Sequence, residues 1–373
     1  MLSIIETQIL IALVILTSLL FSNAAQQTYI CREGEIRFRT SRLLYFFSFL
    51  IPWICISFTD SGSDYYNYYD MIDRLTWDNY YMFFSEEPGW NIFTLTIRTL
   101  LNDNTHLTIF AIKTITLSII FYVIYSYSSI YKVQFSILSY LLLNYIASFY
   151  LISIAFSVAL STLAISLLYK YELKVLGAVI IIIAGLLHNS SFIFLPIYIA
   201  LILYRNNVSR KIKIIFTIGF LSAGVLASSV YSFAMSNIEA FHYVNYGSVG
   251  FRGSGISIVI IYVPLFYFIS RLSYYLDDKQ LFNYIYIYAL ADCMFNVLSY
   301  QFFVIERMQF YTIPLYAIFI PLAIQSIRNS NTRGVISIQR FMYIFILFKG
   351  IQEFIGRTTS MDAVAHYHFF SPF

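Results

Sequence analysis

Charge is scarce in this chain. Only 11% of its 373 residues are Asp, Glu, Lys or Arg, against about 25% in an ordinary soluble domain, and no stretch is polar enough for a separate soluble domain of roughly 100 residues. Cysteine is also sparse: Cys31, Cys55 and Cys293 are odd in number and far apart, and two of them sit in apolar segments. This pattern supplies neither a disulfide framework nor a metal site. The basic excess of +4 is spread over short loops and not interleaved with exposed aromatics, which speaks against nucleic acid as a partner. Phosphate-loop, His-Glu-x-x-His and Gly-x-Ser-x-Gly motifs are missing too. Nucleotide-driven transport and standard hydrolase chemistry lose ground.

What fills the chain instead is apolar: 59% hydrophobic and 20% aromatic residues, with a mean hydropathy of +0.72. Apolar runs of roughly 17 to 25 residues recur along it, each long enough to cross hydrocarbon about 30 Å thick as a helix. The expected fold is all-α, a polytopic integral membrane protein with about 10 to 12 transmembrane helices. Spans are predicted at residues 4–21, 43–58, 107–125, 133–150, 152–169, 214–231, 256–271, 281–300, 310–326 and 341–354. The first lacks a basic start and carries Glu6, so it reads as a retained helix and not as a cleaved signal. Arms at 175–187 and 192–204 flank His188-Asn-Ser-Ser191; each is roughly 20 Å long at 1.5 Å per residue. Either they are half-helices meeting inside the membrane, or they are short spans around an outer turn.

Positive residues orient the spans, because Lys and Arg in short loops stay on the cytoplasmic side. Arg32, Arg37, Arg39 and Arg42 mark the first inside loop, and Lys170 with Lys174, Arg205 to Lys213, and Arg328 to Arg340 mark the others. The chain therefore reads as one transmembrane domain, residues 1–373, with an outer loop at 59–106 and a second, glycine-containing outer loop at 232–255. Asp60, Asp64, Asp70, Asp73, Asp78, Glu86 and Glu87 face only Arg74 within 59–90. Polarity is concentrated there.

Several features admit two accounts. Glu86 and Glu87 before Pro88 suit the positive end of a helix dipole, while residues 90–100, too short and polar to span, suit an interfacial or re-entrant helix lining a cleft. The run Asp64-Tyr-Tyr-Asn-Tyr-Tyr-Asp70 is an interface belt or a platform for sugar rings. His188, Ser190 and Ser191 form a binding or catalytic cluster, or they satisfy the carbonyls of a broken helix. Asp292 is a proton relay, or it bonds Asn296 and a neighbouring helix. Arg252 and Arg307 are phosphate contacts or snorkelling side chains.

The order of these features, Gly62-Ser-Asp64-Tyr-Tyr-Asn-Tyr68, Glu87-Pro-Gly89 with Trp90 and Arg98, His188-Asn-Ser190, then Arg307 with Tyr311, resembles the EpsG-like family of bacterial polysaccharide polymerases, grouped with Wzy-type O-antigen and capsule polymerases. The resemblance covers residues 45–325. One departure is that the family's Arg-Gln pair leading into a middle helix has no counterpart in Tyr150-Leu-Ile-Ser-Ile-Ala-Phe-Ser157.

The resemblance implies a multi-pass glycosyltransferase of the bacterial inner (cytoplasmic) membrane, joining undecaprenyl-pyrophosphate-linked oligosaccharide repeat units at the periplasmic face in O-antigen, capsule or exopolysaccharide biosynthesis. It implies no cofactor and no metal; membrane lipid and a chain-length regulator are the other partners in view. A base is needed at the acceptor hydroxyl and positive charge at the departing pyrophosphate. Asp64 or Glu87 is expected as the base, Arg307 and Arg252 as pyrophosphate contacts, and Tyr68, Arg98, His188 and Ser190 as supporting substrate contacts. Two rivals remain. A lipid-linked oligosaccharide transporter would use Asp292, Lys113 and His188, and a membrane acyltransferase would want a His-Asp pair that His366 and His368 do not supply locally.

Overall fold

Apolar runs become helices close to where their pattern puts them. The computed structural model describes residues 2–31, 36–81, 87–205, 256–299, 307–329, 335–359 and 367–368. Helix α1 (Ile4–Ala24) starts at Ser3, whose hydroxyl accepts the Glu6 N–H while the Glu6 carboxylate accepts the Ser3 N–H, a reciprocal cap. It packs on α2 (Arg42–Ser57), which contains Pro52. Proline lacks the N–H that would bond the carbonyl four residues earlier. Ser18 of α1 donates to that carbonyl, Ser48 O, at 2.6 Å instead.

The all-α expectation holds, with one short hairpin added to it. Gln26–Ile30 (β1) and Ile36–Thr40 (β2) pair antiparallel, with Gln26 opposite Thr40. The arginines expected in a plain loop, Arg37 and Arg39, alternate with Ile36 and Phe38 on β2. Five-residue strands are too short for alternation to register against the apolar runs around them.

Two short helices follow α2, α3 (Tyr65–Arg74) and α4 (Pro88–Leu100), so the expected short helix after Pro88 is present. They mark what we call the loop end of the bundle. Then come α5 (Thr105–Ser126), α6 (Val133–Tyr140) and α7 (Ile152–Tyr171). The predicted span at 133–150 is not one regular helix: α6 runs into a π segment, Leu141–Tyr145, and a 3-10 turn, Ile146–Phe149. Helices α8 (Lys174–Leu187) and α9 (Phe194–Arg205) are separated by the 3-10 turn Asn189–Ile193. Tyr198 of α9 donates to Lys174 O at the start of α8, so the arms run antiparallel around the turn. Both readings, half-helices meeting inside the membrane and short spans around an outer turn, share this antiparallel arrangement.

The last part comprises α10 (Ile256–Tyr275), α11 (Lys279–Ser299), the 3-10 turn Arg307–Thr312, a π segment Leu315–Phe319, α12 (Ile320–Asn329) and α13 (Val335–Thr359). Among the described residues five helices are long and apolar enough to cross a membrane, and five further apolar helices are shorter. This is a multi-pass helical membrane protein. The predicted span at 214–231 and the second outer loop at 232–255 lie outside the described residues.

Asp292 ties the last part together. Its carboxylate accepts from Tyr262 of α10 at 2.8 Å, Thr312 at 2.6 Å, Tyr316 at 2.6 Å and the Lys349 ammonium of α13 at 2.8 Å. These, not Asn296, are its partners, so the neighbouring-helix half of the sequence reading holds and the local half does not. Removing one member of such a pair strands a buried charge, at a cost of about 3–5 kcal/mol. Asp292→Asn and Lys349→Met are each expected to lower the melting temperature in detergent sharply, and the double variant to melt closer to wild type; equal losses in all three would contradict the pairing.

Candidate active site

Glu87 stands where α4 begins, but its carboxylate makes no bond to its own helix. It reaches across to the α8–α9 turn, 2.6 Å from His188 Nδ1, and accepts the Asn189 N–H at 3.3 Å. The simple helix-start account of Glu87 is therefore corrected, while Glu86 lies outside the described residues. Both side chains are nearly enclosed, with 9% of Glu87 and 16% of His188 exposed. A contact this short in so little water is a charge-assisted bond whenever the ring is protonated.

Backbone packing brings them together. A Cβ on Gly89 would lie 2.6 Å from the Leu186 carbonyl oxygen, so only glycine lets α4 approach the end of α8 this closely. Pro88 occupies the first helical turn, where a missing N–H costs nothing. His188 is extended, with φ −154° and ψ 114°, which turns its ring out of the α8 ladder. Glu-Pro-Gly is thus a contact between two elements.

Hydroxyls surround the pair. Ser153, in the first turn of α7, lies 3.4 Å from His188 Nδ1 and 2.8 Å from the Tyr68 hydroxyl. Ser190 and Ser191 lie 3.0 and 2.5 Å from the Tyr311 hydroxyl. Tyr68 and Tyr311 both sense the charge of Glu87. Burial, reinforced by Glu87 and Asp64, pushes the Tyr68 phenol up to about 12, so it stays protonated at neutral pH. The contacts of His188 with Glu87 and Ser153 both fall on Nδ1. A serine-nucleophile relay needs the two on opposite ring nitrogens.

The structure thus gathers Glu87, Tyr68 and the His188, Ser190 and Ser191 cluster, and adds Ser153 and the Asn189 N–H, with Tyr311, noted in sequence only as the companion of Arg307. Asp64 sits half-buried at the start of α3, accepting from Asn67 at 3.5 Å and close enough to influence Tyr68. Arg307 opens the turn that carries Tyr311. Arg252 lies outside the described residues. Arg98 is placed otherwise than expected: its guanidinium donates to the carbonyls of Ile72, Asp73 and Leu75 at 2.7, 2.7 and 3.0 Å. It caps the C-terminus of α3, where orphan carbonyls favour a cation.

Arg357 was missed because the predicted last span ended at residue 354. It bonds Tyr150 at 3.0 Å and Glu353 at 2.8 Å, and stacks 4.5 Å over Phe310, the neighbour of Tyr311. With Lys349, Gln309 and Asp292 it lines a cavity of about 20 Å³, room for about one water. The Arg307–Thr312 turn separates the two clusters, Tyr311 bonding the serines and Thr312 bonding Asp292.

His368 also departs from expectation. Its Nδ1 lies 3.0 Å from Asp60, whose other oxygen accepts from Tyr66 at 2.6 Å. A His–Asp pair does exist in the tail, between residues 308 positions apart, where no local motif announces it. His366 lies outside the described residues. Beneath this pair Lys113 donates to Thr59 O at 3.2 Å and sits 4.9 Å over the Tyr65 ring.

Gly89→Ala places a methyl group against backbone that cannot yield, an overpacking cost of about 1–3 kcal/mol. The variant is expected to melt lower than wild type and to lose function along with Glu87→Gln; a fully functional Gly89→Ala would contradict the close approach.

No curated protein and no solved structure matches this chain. Residues 42–361, most of the chain and all of the clusters just described except the tail, match the EpsG family. The chain belongs to the EpsG family.

Proposed function

We propose that the protein is a polysaccharide polymerase that transfers a growing glycan from an undecaprenyl-pyrophosphate carrier to a hydroxyl of the next lipid-linked repeat unit at the outer face of the bacterial inner membrane. The family supports a polymerase-like glycosyltransferase acting in polysaccharide biosynthesis. The observation that carries the finer reading is the enclosed Glu87–His188 contact ringed by Tyr68, Ser153, Ser190 and Tyr311 hydroxyls.

In this reading Glu87 fixes the His188 ring, and the imidazole accepts the proton of the acceptor hydroxyl as its oxygen bonds the anomeric carbon of the donor. The bond from that carbon to pyrophosphate breaks, and the pyrophosphate leaves with the electron pair. Its charge needs a cation, and Arg307 and Arg357 flank the Tyr311 turn. Tyrosine and serine hydroxyls orient the sugars. The leaving group supplies the driving force, consistent with a sequence that carries no nucleotide-binding motif.

The test is the surface glycan ladder of cells lacking the gene, complemented with variants. Removing general base function costs typically 10²–10⁴-fold, so His188→Ala and Glu87→Gln are expected to leave a lipid core capped by one repeat unit at normal membrane abundance. Long-chain polymer in both variants would sink the assignment. Lipid-linked repeats accumulating on the cytoplasmic side would instead indicate transport.

A further inference from the structure

Helices α2 and α5 run antiparallel and are pinned at two levels. Near the loop end the Trp53 indole donates to Thr114 at 2.9 Å; further along, the Tyr45 hydroxyl donates to Phe121 O at 2.7 Å and its ring lies 5.0 Å from that of Tyr125. Outside this seam a groove of about 300 Å³ opens between the helices. Phe46, Phe49, Tyr122 and Tyr125 wall it, and the small Ser118 keeps it open at mid-depth. Phe46 is 49% and Tyr122 61% exposed, so the groove faces the surrounding lipid. From Arg42 to Phe49 it extends roughly 10 Å along the helix.

The groove differs from an ordinary lipid-facing surface at one end. Arg42 stands at its mouth, at the start of α2 and therefore at the end of the bundle opposite Glu87. Arg39, on the adjoining strand β2, is exposed three residues before it. Each basic side chain at a membrane surface strengthens attachment of an anionic lipid about fivefold, and guanidinium pairs bidentately with phosphate. An aromatic groove ending in arginine matches a phospholipid bearing net negative charge.

We propose that the α2–α5 groove holds one anionic phospholipid, an acyl chain against Phe46, Phe49 and Tyr122 and the headgroup phosphate on Arg42. The occupant is a structural lipid in the leaflet away from the candidate active site, distinct from the lipid-linked sugar, and the inference stands whether or not the polymerase reading does. It covers the outer side of the seam where Tyr45 of α2 bonds Phe121 of α5.

The experiment is native mass spectrometry of the full-length protein released from nanodiscs containing equal phosphatidylglycerol and phosphatidylethanolamine. Wild type is expected to retain one phosphatidylglycerol in preference to phosphatidylethanolamine. Arg42→Gln should reduce that preference about fivefold, and Ser118→Phe, which fills the slot, should remove the retained lipid. Arg42→Gln changes an exposed side chain, so it reads the headgroup contact even if Ser118→Phe fails to fold. Equal retention of both lipids by wild type, or unchanged preference in Arg42→Gln, overturns the proposal.

Discussion

A charge inside a membrane protein has no bulk water to turn to, and every buried carboxylate described here is answered by a partner from a distant part of the chain. Asp292 meets Lys349, Glu87 meets His188, and Asp60 meets His368 and Tyr66. Removing apolar contacts would loosen such a bundle by degrees, whereas a misplaced pairing leaves a charge stranded at a cost of several kcal/mol. The polar residues are few, and they decide which helices are neighbours. Apolar runs, interchangeable on their lipid-facing sides, do not.

Close backbone approach is the second constraint. Gly89 lets α4 touch the end of α8, and Gly62, with φ +119°, brings the acidic segment against Tyr150, where a Cβ would lie 2.8 Å from the tyrosine Cβ. The irregular helices belong to the same design. Asn144, in the π segment after α6, donates to Phe310 O in the 3-10 turn that carries Tyr311 and Thr312. Local departures from α geometry re-aim side chains, and they collect where helices carry function. Here two such segments meet between the Glu87 cluster and the Asp292 cluster.

Much of this was legible in the sequence, for a definable reason. Hydropathy reports span existence directly, so the helices around residues 107–125, 152–169 and 281–300 formed with small changes at their ends. Glu87, Tyr68, His188 and Ser190 stood out because polar groups are conspicuous in an apolar chain. What stayed hidden was partnership. Ser153 looks like any serine in an apolar helix, Arg357 lay beyond the predicted end of the last span, and Lys349 gave no sign that Asp292 was its partner 57 residues away. Arg98 illustrates the reverse error: a cation beside an acidic segment suggests a ligand, yet three backbone carbonyls claim it. The five-residue strands were missed because their alternation is brief.

The contacts of Tyr367 have a bearing on how the bundle is assembled. Its N–H donates to Thr7 and its carbonyl accepts from Leu2, both on or beside the first helix, while its hydroxyl donates to Cys55 O at the end of α2. Thr7 and Tyr367 are separated by 360 residues. During synthesis α1 and α2 can pair as soon as both are inserted, but the polar groups that Tyr367 and His368 satisfy must wait until those residues, some 360 positions further along, have been translated. The polar contacts at this end of α1 and α2 therefore close only after α13 has been made.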